Sequence, residues 1–315
     1  MASLLLETKI HLPKVRRGLV PRPRLGERLN RGIEAKLTLV SAPAGFGKTT
    51  LLAGWLDLSK HSAAWVSLDQ SDNHAASFWS YLIEALQTAE PGFNPGASAI
   101  SLLQSPQPPP IEAVLTLLLN ELSAMSMDVM LVLDDYHVID AREIHDGMVF
   151  LLDHLPPRLH LVIASRADPP LPLARLRAQG ELVEIRAEDL RFAPDEIASY
   201  FHESMGLDLT ARDVAVLEGR TEGWIAALQL AALSMQGRSD VTGFIASFAG
   251  DDRYIVDYLV EEVLQRQPDT VCTFLRDTSI LERLSGPVVR CHHRAGRWES
   301  DAGGAGASEP VRGPA

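Results

Sequence analysis

"LTLVSAPAGFGKTTLLAGW", residues 37–55, is the stretch whose reading decides the fold. The run Leu37 to Val40 reads as a short buried strand, and the apolar residues after Lys48 recur at helical spacing. Between them "APAGFGKT" follows the pattern G-x-x-x-x-G-K-[ST], with Ala42 in the place of the first glycine. Strand, glycine turn and helix in that order make a phosphate cradle.

Each residue type has its own reason to be there. Alanine serves at position 42 if φ stays negative, whereas Gly45 and Gly47 stand where the backbone must turn sharply and approach phosphate oxygens. Ala42, Pro43, Ala44, Gly45, Phe46 and Gly47 form the cradle, and the Lys48 ammonium reaches the β- and γ-phosphates. The Thr49 hydroxyl is a ligand for Mg²⁺, and the adjacent Thr50 is a candidate for the α-phosphate.

A second element raises the reading above a chance glycine turn. "VMLVLDD" (129–135) is an apolar strand ending in two carboxylates: Asp134 to hold Mg²⁺ through water, Asp135 to orient an attacking water as the candidate base. A plain alternative is that such acids only cap the next turn. "LHLVIAS" (159–165) is expected beside the phosphate-loop strand, so that Arg166 emerges near the γ-phosphate and senses it. For Arg166 the plain alternative is a surface arginine.

Further short apolar runs, "AAWVSL" (63–68) and "ELVEI" (181–185), alternate with helical stretches. In "ASFWSYLIEALQTA" (76–89), Phe78, Leu82 and Leu86 share one face, and "IEAVLTLLLNEL" is another helix. The loop between those helices ends in a stiff "SPQPPP" connector (105–110). This alternation predicts an α/β fold, a parallel P-loop sheet with helices on both faces, over 37–190. Residues 1–36 form a lead-in with extended backbone around Pro21 and Pro23. From "FAPDEIASYF" onward, with Pro194 and Asp195 in a first helical turn, an all-α domain is expected over 191–276.

The chain has 315 residues, 46% of them apolar and 22% charged, which suits a globular protein of roughly two domains. Its formal net charge of −12 argues against a broad nucleic-acid-coating surface. Its apolar runs are too short to span a bilayer, and "MASLLLETKIHLPK" forms no secretory core, so a cytoplasmic protein without membrane contact is expected. The two cysteines, Cys272 and Cys291, suit a reducing compartment. Cys291, His292 and His293 are consecutive and cannot readily converge on one ion. His74 and His137 read as solvated loop residues.

Taken in order, "LLETKIHLPKVRRGLVPRPRL", "SAPAGFGKTTLLAGW", "AAWVSLDQSDNHAASFWSYLIEAL", "LVLDDYHVI", "LHLVIASRADPPLPLARLRAQGELVEIRAEDLRF" and "TEGWIAALQLAAL" resemble the MalT-like group of LuxR-family transcriptional regulators. These are signal-transducing STAND ATPases. The resemblance covers about residues 4–289. It implies a nucleotide-binding α/β domain, a helical domain and a winged-helix domain, followed in the whole regulator by sensor repeats and a DNA-binding helix-turn-helix domain. ATP with inducer favours an open, self-associating form, ADP a closed one, and slow hydrolysis resets the switch. By resemblance, Val20 and Arg22 cover the adenine and ribose, and Gly223 matches a helical-domain motif. Many relatives have a proline two places later, where this chain has Ile225, so no nucleotide contact is expected from that helix.

The winged-helix pattern begins at about residue 277 and stops near Val289. Residues 290–315 resemble nothing in the family and are expected to be disordered, as from a truncated or out-of-frame reading. Without base-reading domains, DNA contact is expected only through parts outside this sequence. The alternatives are an autonomous P-loop small-molecule kinase and a fragment without function.

Overall fold

The computed structural model describes residues 5–15, 18–59, 61–89, 94–238, 240–248, 253–262, 264–266 and 269–278. Each apolar run becomes a strand: β1 (Leu37–Ser41), β2 (Ser62–Ser67), β3 (Val129–Asp134), β4 (Leu159–Ser165) and β5 (Leu182–Arg186). They form one parallel sheet in the order β2-β3-β4-β1-β5. Ser41 therefore lies beside Ser165 of β4 on one side and Arg186 of β5 on the other.

Side chains alternate between the two faces of a strand. Leu37, Leu39, Leu131, Leu133, Leu161 and Ile163 point into one apolar layer, while Val40, Val132, Val162, Ala164 and Ile185 point into the other. Burial on both faces explains why the strands read as unbroken apolar runs.

The helices before, between and directly after the strands are α1 (Pro23–Arg31), α2 (Lys48–Leu58), α3 (Ala75–Ala89), α4 (Ala97–Leu103), α5 (Ile111–Leu122), α6 (Arg142–Asp153), α7 (Leu173–Gln179) and α8 (Ala187–Leu190). Leucines of α1, α2 and α8 pack in the second layer with Trp55, and α3 to α7 fill the first. Phe78, Leu82 and Leu86 of α3 are all buried, each stabilising the fold by about 1.5–3 kcal/mol.

After β5 the described chain is helical: α9 (Pro194–Ser199), α10 (Ala211–Thr221), α11 (Ile225–Met235), α12 (Val241–Ser247), α13 (Arg253–Glu262) and α14 (Asp269–Thr278). Pro194 opens α9 at its first position, where a missing N–H costs nothing. Met1–Val256 forms one compact unit and Asp257–Ala315 a second. In the second, the Cys272 thiol donates to the Leu264 carbonyl across 3.3 Å. The winged-helix start, apart from residues 277 and 278, and the Cys291-His292-His293 triplet lie outside the described residues. Among the described residues, no helix is long and apolar enough to cross a membrane.

Two expectations need correction. Pro23 does not extend the lead-in; it is the first residue of α1, which its fixed φ suits, and Leu25 and Leu29 of that helix are buried. The loop after α3 contains α4, whose Ala99 and Leu103 pack in the core.

Candidate functional site at the carboxyl ends of the strands

The turn from β1 into α2 has the shape its glycines require. Gly45 and Gly47 adopt left-handed backbone, φ 76° and 78°, which side chains with a Cβ resist. Ala42 does not, and its Cβ packs in the apolar layer at 2% exposure. Pro43 and Thr50 are exposed, and Ala44, Phe46 and Thr49 are half-buried.

Lys48 is buried at the start of α2, and its ammonium donates to the carbonyls of Ala42 (2.8 Å) and Pro43 (3.1 Å). Burial lowers its pKa, opposed by the charge of Asp135, and Arg166 lowers it further. Lys48, Asp135 and Arg166 therefore share one electrostatic neighbourhood.

Asp134 ends β3, separated from the phosphate-loop strand by β4. The Thr49 hydroxyl spans that separation and donates to Asp134 Oδ2 at 2.8 Å. Burial, together with the neighbouring Asp135 charge, pushes the Asp134 carboxyl up to about 6. A hydroxyl and a carboxylate form a hard-oxygen pair that fits Mg²⁺. No cluster of three or more His, Cys, Asp or Glu ligands occurs among the described residues. An ion at this pair would complete its shell with water and phosphate oxygens.

Asp135 is one of two non-glycine residues in left-handed conformation among those described, φ 56° and ψ 36°. His137 departs from expectation. Its side chain is only 18% exposed, with Nδ1 3.7 Å from Asp135 Oδ1. His74 is exposed, as expected. Arg166 leads the loop after β4, and two residues on Asp168 is paired with Arg186 of β5, which tethers that loop to the sheet.

The lead-in is tied to the segment after β5. Arg22 donates to the Arg191 carbonyl (2.7 Å), pairs with Glu196 (3.1 Å) and lies 4.3 Å over the Phe192 ring. Arg24 also holds Glu196, and Arg28 holds Asp189 at 2.5 Å. Burial pushes the Glu196 carboxyl up, but hydrogen bonds from Arg22 and Arg24 outweigh it and the net shift is down. Buried Nε of Arg22 has no hydrogen-bond partner. Val20 is half-buried next to Leu19, which packs on Gly54 of α2.

Sequence reading missed how α11 begins. Trp224 Nε1 donates to the Ala44 carbonyl (3.3 Å) and Ala226 N–H to the Gly45 carbonyl (3.2 Å). The rings of Phe46 and Trp224 lie 6.4 Å apart, and Ile225 Cγ2 would be 3.5 Å from a Cβ on Gly47. The start of α11 therefore packs directly on the phosphate loop.

The chain is 37% identical, over 288 residues, to the HTH-type transcriptional regulator MalT of Serratia proteamaculans (strain 568), covering 91% of this chain and 32% of that protein. The MalT regulator of Yersinia pestis (strain Pestoides F) is 36% identical over the same shares. The chain thus spans about a third of the length of the curated relatives it matches. No family model matches it. Among solved structures, a Walker-type ATPase of Pyrococcus abyssi has a similar fold, with a TM-score of 0.56 at 14% identity, covering 90% of this chain and 86% of that one.

Proposed function

From a chain that is MalT-like over most of its length, we propose an ATP- and ADP-binding switch module of a transcriptional regulator, with slow ATP hydrolysis that resets the switch. The observation that carries this reading is the Thr49–Asp134 hydrogen bond, made beside a buried Lys48 at the mouth of a left-handed glycine turn. Lys48 neutralises the β- and γ-phosphates, and the first N–H groups of α2 face the same anion. Thr49 and Asp134 hold Mg²⁺, which when bound supplies positive charge to the phosphate oxygens. Asp135 orients the attacking water, and Arg166 answers to the γ-phosphate. Val20 and Arg22 flank the base.

The domain division at 36/37 and 190/191, and the winged-helix start at 277–289, belong to the same proposal. So do self-association of the whole regulator and DNA contact through its helix-turn-helix domain.

The test is to denature the purified protein and chromatograph what it releases. ADP or ATP is expected, and Lys48→Met should weaken rebinding by about tenfold or more, as loss of a charged hydrogen-bond donor implies. Aggregated protein that releases no nucleotide would refute the switch, and phosphate transfer to a metabolite rather than water would favour a kinase.

A further inference from the structure

Asp135 adopts left-handed backbone, a conformation that aspartate visits more readily than most L-residues. The loop that follows, a 3-10 turn over Tyr136–Val138 and then residues 139–141, is held at two points. Near the start, Tyr136 is buried and shares a 3.0 Å hydrogen bond with His145 Nδ1. Near the end, one side chain from a different part of the chain makes three bonds. Asn73 Nδ2 donates to the Val138 carbonyl (2.8 Å), and its Oδ1 accepts from the N–H groups of Asp140 (2.7 Å) and Ala141 (3.1 Å).

Both ends of the amide are used, so only asparagine chemistry satisfies the site. Asn73 is itself fixed, as the last residue of a 3-10 turn, Gln70–Asn73, closed by Asp69 and Asp72. Asp72 is fully buried and accepts from the Lys9 ammonium at 2.9 and 2.7 Å, and Lys9 also pairs with Asp69 at 2.8 Å. Lys9 lies 4.9 Å over the Tyr81 ring, whose hydroxyl accepts from the Leu6 N–H at 3.0 Å.

We propose that Asn73 is a positioning residue that holds the Asp135 loop in its working shape, and that Lys9 acts through it by locking the turn. This rests on the hydrolytic role proposed for Asp135. It gives a task to "ETKIHLP" and "LDQSDN", two stretches that the nucleotide site itself leaves without one. Loosening the loop lets the Asp135 carboxylate leave its orientation, while the cradle of Gly45, Gly47, Lys48 and Thr49 is untouched.

The variants are Asn73→Ala, Asn73→Asp, which lacks the donor to Val138, and Lys9→Met. Single-turnover hydrolysis of bound ATP is expected to fall by about tenfold to a hundredfold in the Asn73 variants, the scale of a small misplacement. ADP affinity should change by less than about twofold, since it depends on uniform binding. Lys9→Met should show the same split with a smaller loss. In the nucleotide-free protein, amide exchange at Asp140 and Ala141 should quicken in all three variants, with β1 and β3 unchanged. Unchanged hydrolysis and unchanged exchange at those two amides would overturn the inference, as would parallel loss of affinity and hydrolysis. A wild-type protein that binds no nucleotide sinks the switch reading instead, and the exchange measurement then still decides whether Asn73 braces the loop.

Discussion

Replacing Gly223 with alanine probes the joint between the phosphate loop and the helices beyond it. Gly223 has φ 70°, and a Cβ there would lie 2.5 Å from the Phe192 carbonyl oxygen and 2.8 Å from its nitrogen. Left-handed backbone costs alanine about 1–2 kcal/mol. The clash is with backbone, so relief must also strain the Phe192 N–H to Gly223 carbonyl bond, now 2.8 Å and worth about 0.5–1.5 kcal/mol. The sum is about 1.5–3.5 kcal/mol, or a Tm lower by roughly 3–14 °C for a unit of this size. Gly219 in α10 is the control: a Cβ there meets nothing within 4 Å, so Gly219→Ala should stabilise by about 0.5–1 kcal/mol. Thermal and denaturant unfolding, followed by tryptophan fluorescence, measures both. If Gly223→Ala unfolds within about 0.5 kcal/mol of wild type, or Gly219→Ala loses as much as Gly223→Ala, the close approach of Gly223 to Phe192 is wrong.

Three further outcomes follow from the site. Asp134→Asn should stabilise the nucleotide-free protein: a carboxyl whose folded pKa is raised to about 6 weakens the fold as pH rises from about 4 to 6. The gain, on the order of 3 kcal/mol, should be absent near pH 4 and full above 6 in unfolding titrations, while Mg²⁺-dependent nucleotide binding is lost. Arg22→Met and Glu196→Gln should couple in a double-mutant cycle by about 1–3 kcal/mol. Since the Glu196 pKa is lowered, that coupling is present at neutral pH and fades as acid titrates the carboxyl through its depressed folded value. Ala42→Gly, although it restores the usual P-loop pattern, should cost about 1 kcal/mol in stability without tightening ADP, because a buried methyl is lost where no positive φ is needed.

The strands were legible because they follow from local pattern. Period-two burial on two faces leaves continuous apolar runs. Less legible were contacts that join distant segments. Nothing around Asn73 announces that it holds residues 138–141, and nothing around Trp224 announces Ala44. His137 looked like an ordinary loop histidine because its burial depends on neighbours that sequence spacing cannot supply. Pro23 was misread for a different reason: the same fixed φ serves extended backbone and the first turn of a helix, and only the buried Leu25 and Leu29 distinguish them.

The strand order also governs when the site comes into being. Leu37 pairs with Leu161 on one side and Leu182 on the other, so β1 finds no hydrogen-bonded neighbour among the strands that immediately follow it in the chain. During synthesis the phosphate loop leaves the ribosome long before its flanks do, and such distant pairing is slow to form. The emerging chain must therefore hold "LTLV" unpaired until β4 and β5 arrive. On the proposed function, nucleotide capture by a nascent chain should begin only once about residue 186 has been released, late in folding rather than early.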